Sequence, residues 1–441
     1  MPDTITLTVE PSSSLQAAAD SFIQAIGAWT KRVIAAYPEG FISDSHDGGT
    51  FMIPWAPYIK ATGDERPLAF MQKYRDEAKR HFEETDQWLD GYWRRQEVHH
   101  GTEHFDLFLR ELWYLQPDDC ETVHQLEDAA EHAGNWKPGF PEWFDWESGL
   151  FRSLYLGTEF VGEFSRNIPD SVRVARVSML AYEMTGKERY LNLVCNHIET
   201  WVQSLIENEI LPVGIDEEGG VFDLDEDGQA FYNQYVGAAP PDFNEQLTRT
   251  ENLIASEMPD LLLELWRKLG ENRYKRAAEK IIDQAVAELN SPVAWQVQAA
   301  VRRYRKITGS TRYDKPVRNV PQNNLRPIDQ LNIVPEVESH QVTGPLGMRI
   351  DKPDWLDQNG NAAPSPLLWA LQAVVTGDEQ LMTQAVDLGL AYFRLAEKAY
   401  GDVTHHGCGS RSLAAVSRGH GRLNGAGVVT EVLSPAIEYT W

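Results

Sequence analysis

The chain has 441 residues, 42% of them hydrophobic and 24% charged, enough to bury a large core and too apolar to read as disordered. Its 66 acidic residues against 40 basic ones give a formal net charge of −26, which repels nucleic acid and anionic membrane at long range, so neither is an expected partner. Three cysteines without CxxC spacing, Cys120, Cys195 and Cys408, exclude a disulfide framework or a cysteine-built zinc site as an expectation.

Met1 to Pro11 carry neither a basic nor an apolar leader region, which predicts a cytoplasmic location, and no stretch is apolar enough for a membrane helix. The first chemical constellation is Phe41 to Thr50. Here His46 and Asp47 form a candidate acid/base pair, and Gly48 and Gly49 allow the backbone to approach a ligand. Equally, this is a polar helix-entry loop. A first helix-ending turn follows at Thr62-Gly63-Asp64.

Next comes His99-His100-Gly101-Thr102-Glu103-His104, ahead of an apolar helix expected from Phe105 to Leu115. His100, Glu103 and His104 spell H-x-x-E-H, but Gly101 inside the segment counts against a zinc-peptidase helix. The preferred reading starts a helix at Thr102 and presents His100, Glu103 or His104 to a cavity; hydrogen-bonded structural histidines are the plain alternative.

Between Trp136 and Phe151 six aromatics fall within 16 residues, against a chain average of 10%. Aromatic faces stack on the C–H faces of sugars, and their rigidity limits the entropy lost on binding. Trp136, Trp143 and Trp146 are therefore candidate ligand contacts. Asn135 and Arg152 are candidates to hold a carboxylate, and Asp145 to act as acid or base. The competing expectation is a loop that fills the core with its own rings.

Val174, Val177, Ala181 and Met184 recur at helical spacing before Gly186, and Leu191, Val194, Ile198, Trp201 and Leu205 after it. So short a turn predicts two antiparallel helices. Leu211 to Tyr235 then reads as an acidic, hairpin-like stretch. Within it Asp223, Asp225 and Asp227 open like a calcium loop, although Gln234 stands where an EF-hand needs Glu. No cofactor is expected to be required, a structural calcium apart.

Glycine turns return at Gly270, Gly309 and Gly377, the last between Leu367, Leu371, Val374 and Leu381, Ala385, Leu388. Tyr313 to Pro366 is a long Pro- and Asn-rich excursion. Finally, residues 405–422 hold His405, His406, His420, Arg411, Arg418 and Arg422 without one acidic residue. On so acidic a chain this segment is expected to receive an anion, with glycine backbone N–H groups assisting. Cys408 beside His406 is a further nucleophile candidate.

Repeated helical hairpins must stack to bury their faces. The glycine turns lie 39 to 123 residues apart, too unevenly for a regular solenoid. The expected fold is all-α: a single domain, 1–441, in which hairpins close into an (α/α)6-type toroid with long loops at one mouth. Hairpins with Thr-Gly-Asp-type turns and Trp-rich loops resemble the six-hairpin glycosidase and polysaccharide-lyase superfamily. That resemblance implies a cleft at one mouth of the toroid and a sugar-like substrate.

The leading functional expectation is β-elimination in a uronate-containing oligo- or polysaccharide. Asn135, Arg152 and Arg411 would neutralise the carboxylate, His104 or His406 take the proton, and Tyr155 supply one to the leaving oxygen. Hydrolysis in the same fold, including that of unsaturated uronyl products, would use Asp47, Glu103 and Asp145. A sugar epimerase, a terpene-processing α/α barrel and a non-catalytic repeat scaffold are the remaining alternatives.

Overall fold

The computed structural model describes residues 9–39, 49, 51–84, 88–89, 92–93, 101–140, 142–152, 166–223, 226, 246–289, 295–321, 365–400, 433 and 436. These are mostly helical, with fourteen α-helices and seven strands of two or three residues. No helix among them is long and apolar enough to cross a membrane. They fall into two compact units.

The first unit takes Met1–Gly40, Phe51–Phe70 and Ala285–Trp441. It contains α1 (Leu15–Ala36), α2 (Ala56–Thr62), the start of α3 (Glu65–Glu84), α11 (Trp295–Thr308), α12 (Asp314–Asn319), α13 (Pro366–Thr376) and α14 (Glu379–Tyr400). α14 packs against both α13 and α1. Trp29 of α1 gathers Phe51, Trp55 and Phe393 edge-on at 5.1 to 6.0 Å, a geometry that aromatic quadrupoles favour. Ser365 opens α13 by accepting from the Leu368 N–H while its hydroxyl donates to Gln298, so one side chain both caps the helix and ties it to α11.

The second unit takes Phe41–Thr50 and Met71–Gln284. After the β1 (Trp88–Leu89) and β2 (Tyr92–Trp93) ladder come a π-helix (Glu103–Leu109), α4 (Arg110–Leu115) and α5 (Cys120–Ala133). The β3 (Phe144–Asp145) and β4 (Leu150–Phe151) hairpin precedes a small antiparallel sheet. That sheet joins β5 (Arg166–Asn167), β6 (Gly214–Asp216) and β7 (Gly219–Val221), and β6–β7 is the hairpin expected in the acidic stretch. Helices α6 (Ser171–Thr185), α7 (Glu188–Glu207), α8 (Gln246–Ala255), α9 (Met258–Leu269) and α10 (Asn272–Ala285) complete the unit.

All five expected glycine turns are present. Gly63, Gly186, Gly270, Gly309 and Gly377 sit at φ +66 to +74°, the left-handed conformation that closes a helix without Cβ strain. The threonine before the glycine adds a device of its own. Thr185 Oγ1 donates to the Ala181 carbonyl and accepts from the Lys187 N–H, bridging the end of α6 to the start of α7. α6 packs along α7 as the turn demands, burying Val174, Val177 and Ala181 against Leu191, Val194, Ile198, Trp201 and Leu205.

Candidate functional site

Two polar regions of the second unit stand out from its core. The first surrounds Glu103–Leu109, where the apolar α-helix expected from Phe105 is a π-helix to Leu109 and becomes α only at Arg110. All seven π-helical residues are buried, Glu103 and Asp106 included, so their charges must be met inside. Arg110 bridges Asp106 at 3.1 Å and Glu257 at 3.2 Å. Arg176 of α6 reaches the same pair, with Nε 3.2 Å from Asp106 and Nη2 2.6 Å from Glu257. Arg173 lies 3.7 Å from Glu103 and 3.6 Å from Asp170.

Glu257 adopts φ +58°, one of only two non-glycine positive-φ residues among those described. Such a conformation persists where its surroundings over-determine it, and both it and π-helical turns concentrate at functional sites. Burial opposes the charge of Arg176, but Asp106, Glu257, Glu264 and Asp260 outweigh it and raise its pKa well above the usual value. Glu264 of α9 is pushed the other way: burial, helped by Glu183 and Asp260, raises its carboxyl against the pull of Arg176.

None of Asp106, Arg110, Arg173, Arg176 and Glu257 was expected from the sequence, because charged side chains default to the surface. The available signal was their embedding in apolar helix faces, as in Val172-Arg173-Val174-Ala175-Arg176-Val177.

His104 belongs to this region as a buried residue, 1% exposed. Its ring packs on Phe105 at 5.3 Å and Phe108 at 5.5 Å. Burial pulls its pKa down to about 3, against a hydrogen bond with the Gln125 side chain that favours the protonated ring, and Arg75 adds to the lowering. A base for chemistry near neutral pH needs a pKa closer to it. Gly49 is helical, and a Cβ there would lie 2.6 Å from the Phe108 ring, so the close approach that this glycine allows is to a core side chain.

The second region is the β3–β4 hairpin, where both expectations hold for different rings. Trp143, Phe144 and Phe151 fill the core, with ring centroids 4.6 to 5.0 Å apart. Trp146 is 38% exposed and meets half-buried Trp136 at 5.7 Å. The Arg189 guanidinium lies 5.1 Å over Trp136 and pairs with Glu131.

Asn135 is not free to bind a carboxylate. At φ +63° its carboxamide donates to the Phe144 carbonyl and accepts from the Trp143 and Phe144 N–H groups. Arg152 remains outward, its side chain 44% exposed, at 3.5 Å from Glu142 and 3.9 Å from Asp145. Asp145 accepts from the Glu147 N–H and so shapes the turn.

The turn rests on α7. Asn196 Nδ2 donates to the Trp146 carbonyl at 3.2 Å, and His197 Nδ1 lies 2.9 Å from the Gly149 carbonyl. Since a carbonyl only accepts, Nδ1 carries the proton; Nε2 lies 3.1 Å from Ser171 Oγ. Burial brings the His197 pKa down to about 4, against the Gly149 bond.

His46, Asp47, His100, Tyr155, Asp225, Asp227, His405, His406, Cys408, Arg411, Arg418 and His420 lie outside the described residues. Asp223 is exposed just after β7, and no group of three or more His, Cys, Asp or Glu among the described residues is arranged to hold a metal ion. Compared with known proteins, the chain matches no family model and no curated protein.

Proposed function

We propose that the chain is a carbohydrate-active enzyme that cleaves glycosidic bonds in uronate-containing saccharides by β-elimination, and that its helical hairpins belong to an (α/α) toroid. The observation that carries this reading is the β3–β4 hairpin, which buries three of its aromatics yet turns the Trp146 indole and the Arg152 guanidinium outward. An exposed indole offers a face to pyranose C–H groups, and a guanidinium pairs a carboxylate in bidentate fashion. The basic segment 405–422 adds Arg411 and His406 as carboxylate partner and base, with Tyr155 as proton donor.

Hydrolysis is the second reading: His104 is 1% exposed, which leaves elimination with His406 as its candidate base. Hydrolysis would fall to carboxyl groups: of the three candidates, Glu103 is as buried as His104 and lies 3.7 Å from Arg173, which leaves Asp47 and Asp145. Incubation with a panel of uronate oligosaccharides separates the two readings. New ultraviolet absorbance from a conjugated unsaturated uronate establishes elimination, and new reducing ends without it establish hydrolysis. Neither signal on any uronate substrate would sink the proposal. Arg152→Ala is expected to weaken turnover of uronates more than of neutral saccharides.

A further inference from the structure

We propose that Asn196 and His197, adjacent on α7, are positioning residues that hold the Trp146 indole in place to stack on a pyranose ring; this rests on the saccharide reading above. A hairpin with two-residue strands has too few ladder bonds to fix its own turn in water. Asp145 and Ser148 bond to amides within the turn, and four polar side chains from outside it add further bonds. Asn135 binds the backbone of Trp143 and Phe144, and Asn167 exchanges two 2.9 Å bonds with the backbone of Phe151. These fix the strands. The turn itself is held at both ends by α7, through Asn196 to the Trp146 carbonyl and His197 to the Gly149 carbonyl.

The fit leaves no slack. Gly149 sits at φ +74°, and a Cβ there would lie 2.8 Å from the Asn196 carbonyl oxygen, so the turn lies directly on the helix backbone. His197 is fully buried, wedged 4.8 Å from the Phe151 ring and anchored to Ser171 at the start of α6. Trp143, Phe144 and Phe151 already bury the hairpin, whereas Trp146 and Glu147 stay exposed. What the two bonds fix is the direction of an exposed indole, further tethered by its Nε1–H 3.4 Å from the Gly134 carbonyl. Holding a binding group in one orientation before the ligand arrives removes ordering entropy from the binding step.

The test uses the full chain, a galacturonate tetrasaccharide as probe, and hydrogen exchange of the 145–150 amides. Trp146→Ala should raise the Kd at least tenfold. Asn196→Ala and His197→Phe should each raise it about three- to tenfold and speed exchange across the turn. His197→Asn, which keeps a donor near the Nδ1 position, should restore most of both. Unchanged exchange in folded Asn196→Ala and His197→Phe overturns the inference with or without a ligand. So does unchanged affinity in those two where Trp146→Ala has lost it. Wild-type protein that binds no uronate saccharide while both variants loosen the turn counts against the saccharide reading and leaves the positioning role standing.

Discussion

Around Asp106 and Glu257, charged side chains pair with one another and lie buried. Around Trp146, neutral polar side chains satisfy backbone groups and leave the ring outside. Both regions are polar and both lean on α6, through Arg176 in one and Ser171 in the other. Yet removing a part means different things in each. In a buried ion network, losing one charge leaves the opposite charges under-compensated in low dielectric. In the pinned turn the Asn196 bond lies near the surface, where water can replace it, while the buried His197 holds the other end. The first region therefore should govern stability and the second recognition.

The largest test of that division is Arg176→Met. It removes one of two arginines that bridge Asp106 and Glu257 and is expected to cost about 3 to 5 kcal/mol in urea unfolding. A loss below about 1 kcal/mol would show that the network is not what holds the unit together.

The pH dependence comes next and involves one histidine from each region. His104 and His197 have folded pKa values of about 3 and about 4, below the 6.5 of a free histidine. Because the unfolded chain takes up the protons more readily, stability is complete above pH 6.5 and is lost as the pH falls toward those folded values. By pH 5 each buried ring should have cost about 2 kcal/mol. Urea midpoints at pH 7.5, 6 and 5 read this, and His197→Phe should remove its share of the slope and no more.

Gly149→Ala sharpens the hairpin side of the comparison. Positive φ and the Asn196 carbonyl oppose the new methyl together, for an expected loss of about 1 to 3 kcal/mol. Gly186→Ala, where positive φ acts with nothing within 4 Å, should lose about 1 kcal/mol. Equal losses by thermal unfolding would mean that the turn does not press on α7. For Trp146→Ala the loss is expected to stay within about 1 to 2 kcal/mol, below that of a fully buried indole, because 38% of the residue is already in water. A larger loss would make Trp146 a core residue and remove the support for saccharide binding.

How far each region was legible follows from how its signal is written. The glycine turns and the faces of α6, α7, α13 and α14 repeat at fixed offsets, and periodicity is local information. The hairpin was legible by half, since a density of aromatics marks the loop but does not say which rings go in. Trp143 and Trp146 are three residues apart, and only their register with Phe151 and α7 sends one inward and the other out. The ion network was not legible, since its members come from residues 103 to 257 and none is unusual alone.

The sequence by itself determined a mostly helical chain, its turn positions and the core-facing stripes of its helices, because helix periodicity and glycine's left-handed freedom act over a few residues. Only the tertiary structure decided that Phe105 to Leu109 winds as a π-helix, that Glu257 is held at positive φ, and that Asn135 serves the backbone of its own loop. It also decided that His104 is a core ring. Each of these depends on the partner that arrives from a distant segment, and whether a polar group is buried or displayed is fixed by that partner's geometry.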